Sequence, residues 1–302
     1  MDKIYLSQAK LVLRIVPLLN PYPQFAVKGG TAINYFYRPL PRLSVDIDMT
    51  YLPIADRAAT LLAISDLLEQ LIADIQARFP DYSVSKKQLE NKTVAFRLSD
   101  RTAVIKIEPN LVIRGAVFGT EKRNIVPEAE RELELFASVL SLSTADLYGG
   151  KICAALDRQH PRDLFDIKLL LDNEGVTKEL RQAFLVYLVS HSRPMAELLA
   201  PNLQDIEHVF ATEFIGMTRI PVELSELVRA RERLLSIISE QLSEDERRFI
   251  LSIKSGEPDW DLLPIPGIER LPAIQWKLMN IERMPKKKHA EAVDRLRRVL
   301  GL

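Results

Sequence analysis

Asp46 and Asp48 stand one residue apart, behind Lys28-Gly29-Gly30-Thr31. Two carboxylates at that spacing, close to a glycine pair, have the makings of a divalent-metal site beside a phosphate cradle, and that pairing points to nucleotidyl transfer. Leu43 to Met49 alternates apolar and polar residues, so it reads as a strand with Asp46 and Asp48 on one face and Val45, Ile47 and Met49 on the other. Like charges on one face repel, and a cation between them is the natural compensation. Mg²⁺ binds one or two carboxylates plus substrate phosphates and suits such a pair, with Mn²⁺ as the alternative.

The elements that must position these residues are legible on either side. Gln24-Phe25-Ala26-Val27 is a short apolar run that fits a buried strand, and Thr31 to Tyr37 has helical character. A strand that turns into a helix through Gly29-Gly30 leaves backbone N–H groups free, where the partial positive charge favours a triphosphate. Asp-x-Asp or Gly-Gly alone occurs often by chance. Here glycines, short helix, return loop and acid-bearing strand follow one another in the order the chemistry needs.

Further along, Thr93–Leu98, a turn at Ser99-Asp100-Arg101 and Thr102–Glu108 read as a β-hairpin. Glu108 ends its strand and shares a face with Lys106. It reads either as a third carboxylate, ligating metal or accepting the proton of an attacking hydroxyl, or as half of an ordinary solvated Lys/Glu pair. Ser143-Thr144-Ala145-Asp146 opens a helix like a capping box with Asp in place of Glu or Gln. That helix carries Gly149-Gly150, each glycine costing about 1 kcal/mol relative to alanine, and close approach of a nucleotide or a strand would explain the pair. Lys151 and Arg158, seven positions apart, lie nearly on one helical face; they could meet triphosphate oxygens or an RNA backbone, or be a snorkelling surface pair. Pro161 starts the next helix, with Asp163 and Asp166 in its first two turns and favourable to the helix dipole. His160, in the loop before it, carries no assigned role.

Lys28-Gly29-Gly30-Thr31-Ala32 followed by Arg42-x-Ser44-x-Asp46-x-Asp48 resembles the first motif of the nucleotidyltransferase toxins of the AbiEii/AbiGii type, in the polymerase-β-like superfamily. Ile105–Asn110 with Arg114-Gly115 resembles that family's later strand, while Gly150–Ala155 and Arg162–Ile167 resemble its helical motifs. Pro109 stands where an aliphatic residue is expected. The resemblance spans roughly the first 170 residues, enough for one catalytic domain. It implies an α+β fold with a polymerase-β-like core and a C-terminal α-helical domain. It also implies that Asp46, Asp48 and Glu108 bind Mg²⁺, and that Lys28, Gly29, Gly30, Thr31 and Ser44 handle the nucleoside triphosphate. Lys151 would balance charge on the triphosphate, and Asp163 would orient Lys151 or contact the sugar. The acceptor it implies is RNA, first of all the tRNA 3′ end, so that translation stops; a cognate protein antitoxin would restrain the activity, in a phage-defence setting. Two rival readings are a nucleotidyltransferase that modifies a protein hydroxyl and a non-catalytic nucleotide-binding regulator. The intact Asp46/Asp48 pair argues against the second.

The chain has 302 residues, enough for two domains, expected at 1–175 (catalytic) and 176–302 (helical). Its 41 basic and 41 acidic residues balance, so RNA affinity must come from a local patch. The basic end, with Lys277, Arg283, Lys286, Lys287, Lys288, Arg295, Arg297 and Arg298, reads as such a patch or as a solvated face. A single cysteine, Cys153, excludes an internal disulfide framework or a cysteine-based zinc cluster. Leu6 to Leu19 lacks the continuous apolar core of a signal peptide and no run approaches transmembrane length, so the expected location is the cytoplasm, away from membranes. Strands are expected near 24–28, 43–51, 82–88, 93–98 and 102–112, with a long helix from Asp56 to Arg78 and only helices beyond about residue 175.

Overall fold

Phe25–Lys28 forms β1, and the chain turns directly into a short helix, α2 (Gly29–Ala32), after an opening helix α1 (Lys3–Ile15). The computed structural model describes residues 1–302. The helical turn at Ile33–Tyr37 is wider than an α-helix, and Tyr35 and Phe36 are buried from it. Then follow β2 (Ile47–Tyr51), α3 (Arg57–Arg78), β3 (Ser83–Leu89), β4 (Lys92–Ser99), β5 (Val104–Asn110), β6 (Thr120–Asn124), α4 (Pro127–Leu133) and β7 (Ser138–Leu142). The strands make one seven-stranded sheet in the order β3-β4-β5-β2-β1-β7-β6. β1 runs antiparallel to β2 and parallel to β7, and β2 runs parallel to β5. The acid-bearing strand β2 therefore lies mid-sheet, between β1 and β5.

Two expectations about strands need correction. The ladder of β2 starts at Ile47, not Leu43, because residues 42–46 are held by other groups. Leu43 N donates to the Met217 carbonyl, Arg42 bridges to Thr218, and the Tyr35 hydroxyl engages both Ser44 N and Ser44 O. Neither β7 nor the edge strand β6 is among the expected strands; Thr-Glu-Lys-Arg-Asn of β6 has no apolar alternation. Its charges suit a strand whose outer edge is open, as do Lys86 and Lys87 on β3 at the other edge. Pro109 is tolerated because the β4 ladder ends at Phe96 opposite Ile107, so no hydrogen bond to β4 needs its missing N–H.

α3 forms as its pattern predicts. Asp56 accepts from Ala59 N at 2.9 Å as N-cap, a contact that stabilises by about 1 kcal/mol. Leu61, Ile64, Leu68, Leu71, Ile72 and Ile75 make the buried stripe at spacings of three and four. Each fully buried side chain of this size contributes roughly 1.5–3 kcal/mol.

Compactness divides the chain into residues 1–147 with 214–221, and 148–213 with 222–302. The sequence-derived boundary at 175 thus lies later than this division, which falls inside α5 (Thr144–Arg158). Segment 214–221 belongs with the first unit through the Leu43–Met217 and Arg42–Thr218 pairings and a bond from Asp2 N to the Gly216 carbonyl. Past α5 the second unit is all helical: α6 (Pro161–Asn173), α7 (Lys178–Ser190), α8 (Met195–Leu199), α9 (Glu207–Glu213), α10 (Leu224–Gln241), α11 (Glu244–Ser255), α12 (Pro272–Glu282) and α13 (Lys286–Leu300). No helix is long and apolar enough to cross a membrane.

Candidate active site

Register puts three of the expected residues in one row. Lys28 on β1 pairs with Asp48 on β2, and Asp48 pairs with Glu108 on β5. Residues directly opposite in neighbouring strands share a face, about 5 Å apart, so an ammonium and two carboxylates line up across the middle of the sheet. The row ends at the turn into α2. Gly29 adopts φ +68°, and a Cβ there would lie 2.9 Å from Asp48 Oδ2. This position needs glycine twice over, for its left-handed backbone and for the carboxylate beside it.

Gly30 has a different reason to be glycine. A Cβ would meet Arg42 Nη2 and Ser44 Oγ, each at 2.8 Å. Arg42 is buried at 2% exposure and donates from Nη1 to the Leu43 carbonyl. The back of the glycine turn is therefore lined by a guanidinium, a fixed positive charge that favours an anion on the turn's open side. Arg42 lies within the Lys28–Asp48 motif, but its role behind the turn is visible only in the structure, because its burial is set by the tertiary fold.

Thr31 is buried, and its hydroxyl donates to the Asp46 carbonyl at 2.5 Å while lying 3.1 Å from Ser44 Oγ. A hydroxyl has one proton, so Ser44 is the donor of that second contact. Thr31 thus holds the backbone of Asp46 in place, and what it can offer a phosphate is its backbone N–H. Asp46 lies in a bend ahead of β2, half-buried, with Oδ1 accepting from Lys106 N at 3.1 Å. Asp48 is exposed.

Glu108 is engaged by cations. Lys106 Nζ pairs with its Oε2, and Lys87 Nζ lies 3.5 Å from its Oε1. No group of three or more His, Cys, Asp or Glu side chains is gathered where it could hold a metal ion. The expected trio of Asp46, Asp48 and Glu108 is therefore not assembled as a cluster: Asp46 is off the strand and lysines take Glu108. The remaining donors still fit a hard divalent cation. Asp46 and Asp48 supply carboxylate oxygens next to a glycine turn, and Mg²⁺ ordinarily fills its other positions with water and substrate phosphate.

Lys151, Arg158, Asp163 and Asp166 belong to the second unit and form their own network. Lys151 Nζ lies 2.7 Å from Asp163 Oδ1 and 3.0 Å from Asp166 Oδ2, and Arg158 Nε lies 2.6 Å from Asp163 Oδ2. Lys151 and both aspartates are buried; Arg158 is 63% exposed. Burial alone would raise the Asp163 carboxyl, but Lys151 and Arg158 outweigh it and hold the group well below the usual carboxylate range. Two cations and two anions compensate each other, which is what permits the network to be buried. The alternation of Lys151 and Arg158 along α5, facing Asp163 and Asp166 on α6, ties the two helices together.

The other helical expectations come out differently. Gly149 is required by helix packing, since a Cβ would lie 2.9 Å from the backbone of Ala183 and Phe184 on α7; neither a nucleotide nor a strand explains it. At the start of α5, Ser143 Oγ does accept from Asp146 N. The carboxylate of Asp146, however, takes Val117 N and Phe118 N, while Ser143 N donates to the Gly119 carbonyl. His160 proves to be the N-cap of α6: its Nδ1 accepts from Arg162 N, so the proton sits on Nε2, 3.1 Å from Glu213 Oε2.

Comparison with known proteins bears on the fold and the family. In sequence, no curated protein matches the chain. Among solved structures, MenT4, a nucleotidyltransferase toxin from Mycobacterium tuberculosis H37Rv, superposes with a TM-score of 0.61 at 15% identity, covering 92% of this chain and 93% of that one. Terminal uridylyl transferase 4 from Trypanosoma brucei with bound dUTP covers 96% of this chain and 93% of its own, at 13% identity and a TM-score of only 0.31. The profile of the nucleotidyl transferase AbiEii toxins of type IV toxin–antitoxin systems matches residues 12–280. The chain belongs to the AbiEii family of nucleotidyltransferase toxins.

Proposed function

We propose that this nucleotidyltransferase uses a nucleoside triphosphate and a divalent cation, Mg²⁺ first, to add nucleotides to RNA, with the tRNA 3′ end as acceptor. Blocking that end would stop aminoacylation and translation in the cytoplasm, and a cognate antitoxin would restrain the enzyme. The observation that carries this reading is the Lys28–Asp48–Glu108 row ending at the Gly29 turn, where Asp48 Oδ2 lies 2.9 Å from the position a Cβ would take.

Asp46 and Asp48 would hold the cation, which would neutralise charge on the triphosphate. Gly29, Gly30 and Thr31 would offer backbone N–H groups to the phosphates, with the Arg42 guanidinium behind them. Ser44 and Thr31 keep Asp46 in position, and Lys28 adds a cation at the end of the row. Glu108 would accept the proton of the attacking hydroxyl, leaving its lysine partners to do so. The acceptor oxygen would then bond to the α-phosphorus as pyrophosphate departs. Lys151 is assigned to nucleotide handling, with Asp163 as the residue that orients it.

Incubating the purified protein with each labelled nucleoside triphosphate, Mg²⁺ and total cellular RNA tests the proposal. Label in a tRNA-sized band supports it. Label on protein would instead favour modification of a protein hydroxyl, and no transfer under any nucleotide would favour a regulator that only binds.

A further inference from the structure

Beyond Glu108 the sheet continues into β4 and β3. On β4, Ala95 stands opposite Lys87 of β3, and Arg97 stands opposite Ser85 of β3 and Lys106 of β5. Directly opposed residues share a face, and side-chain contacts fix which face it is. Lys87 Nζ reaches past Ala95 to within 3.5 Å of Glu108 Oε1, while Lys106 Nζ pairs with Oε2 of the same carboxylate. Lys86, one residue earlier, turns the other way and lies 2.6 Å from Glu69 of α3. That other face also holds Phe96, Leu98, Ile105 and Ile107, all buried. The open face of β3, β4 and β5 therefore carries three cations, Lys87, Arg97 and Lys106, against one carboxylate, Glu108.

Arg97 is the cation left over. It is exposed, its cross-strand neighbours are a serine and a lysine, and its guanidinium makes no ion pair or hydrogen bond. Like charges directly opposite each other are destabilising. Glu108 compensates Lys106, and nothing in the chain compensates Arg97.

The order of strands gives these cations a direction. The Gly29 turn follows β1, Asp48 is on β2, Glu108 on β5, and Arg97 one strand further on β4, about 10 Å from β2 at the ordinary strand spacing. Displacement at phosphorus is in line, with attacking and leaving oxygens on opposite sides. A triphosphate at the glycine turn puts its leaving pyrophosphate towards β1, so the attacking hydroxyl would arrive past Glu108, on a strand lying over β4 and β3.

We propose that Arg97, with Lys106 and Lys87, binds a backbone phosphate of the acceptor RNA beside its reacting 3′ end. This rests on the reading that the acceptor is RNA and that the nucleotide sits at Gly29. A guanidinium meets phosphate oxygens two at a time, and the same phosphate competes with Glu108 for the two lysines. Acceptor binding thereby frees the carboxylate that takes the hydroxyl's proton.

The test combines anisotropy of a short fluorescein-labelled single-stranded RNA, titrated with the full chain at several salt concentrations, with transfer kinetics. Arg97→Gln should bind the RNA about tenfold more weakly, and the slope of log affinity against log salt should shrink by about 0.7, the share of one single-strand phosphate contact. Its KM for RNA should rise by a similar factor while its KM for nucleoside triphosphate stays at the wild-type value, and Arg97→Lys should recover part of the loss. Glu108→Gln should bind RNA more tightly than wild type, because its lysines are released to the phosphate. Thermal melts check that each variant is folded. Wild-type protein that binds no RNA, Arg97→Gln curves that superimpose on wild type, an equal loss from the control Lys3→Gln on α1, or Glu108→Gln binding no more tightly would each overturn the proposal. A raised KM for nucleoside triphosphate in Arg97→Gln would assign the guanidinium to the triphosphate and overturn it as well. Asp48→Asn should bind RNA no less tightly than wild type while transferring nothing, so failure of the phosphate subsite and failure of the catalytic reading are read out separately.

Discussion

Gly29 and Asp48 occupy one another's space: a single carbon added to the glycine would lie 2.9 Å from the aspartate's Oδ2. The turn and the acid are parts of one device, because the glycine lets the backbone come close enough for the carboxylate to sit over the start of α2. Gly29→Ala must therefore either displace Asp48 or distort the turn, at a left-handed φ that costs a non-glycine residue roughly 1–2 kcal/mol. Nucleotide transfer by the folded variant should fall by about a hundredfold, the usual scale for misplacing a catalytic group by 1 Å. Initial rates at saturating nucleotide check this, and an unchanged rate would mean that Asp48 need not sit where it does.

Thr31 positions Asp46 through its hydroxyl. Thr31→Val keeps the shape but removes the donor to the Asp46 carbonyl and leaves Ser44 without its acceptor. Stability should drop by about 1–3 kcal/mol, with transfer lowered in parallel, whereas Thr31→Ser should be near wild type. Denaturant melts and transfer rates of the pair separate the hydroxyl from the methyl group.

Much of this was legible in the sequence, and the exceptions share a cause. The Gly29-Gly30 turn, α3 and the helical second unit could be read because local patterning alone dictates them. The late start of β2, the packing role of Gly149 and the edge strand β6 could not, because each depends on a partner distant in sequence: Met217 for Leu43, Ala183 for Gly149, β7 for β6. Within the site, types and spacing made Asp46 and Asp48 the candidates, and the family resemblance added Glu108. They gave no hint that Lys106 and Lys87 engage Glu108, or that Arg42 backs Gly30, since pairing across a sheet and burial are set by the tertiary fold.

Lys151 holds two buried aspartates. Lys151→Ala would leave Asp163 and Asp166 without their shared ammonium, so it should cost stability on the order of 3–5 kcal/mol as well as activity. Lys151→Arg should restore part of the stability; a further rise in its nucleotide requirement over wild type, measured on folded protein, would then report the nucleotide-handling role apart from the structural one.

The same network sets a direction with acid. The Asp163 carboxyl titrates lower in the folded chain than in the unfolded one, so it contributes stability above its unfolded pKa and loses that contribution as pH falls toward the folded value. Melting temperature should therefore decline on acidification below about pH 4, the ordinary Asp range. The decline should be shallower in Asp163→Asn, which starts less stable but has no such carboxyl to protonate. Equal slopes for the two proteins would remove Asp163 from the acid transition.

The most direct measurement is transfer of label from a nucleoside triphosphate to RNA by wild type and by Asp46→Asn and Asp48→Asn, all shown to be folded by their melts. Both variants should lose transfer by orders of magnitude, because each removes a carboxylate that would hold the cation neutralising the triphosphate, while keeping a melting temperature close to wild type. Full transfer by either folded variant would contradict the account.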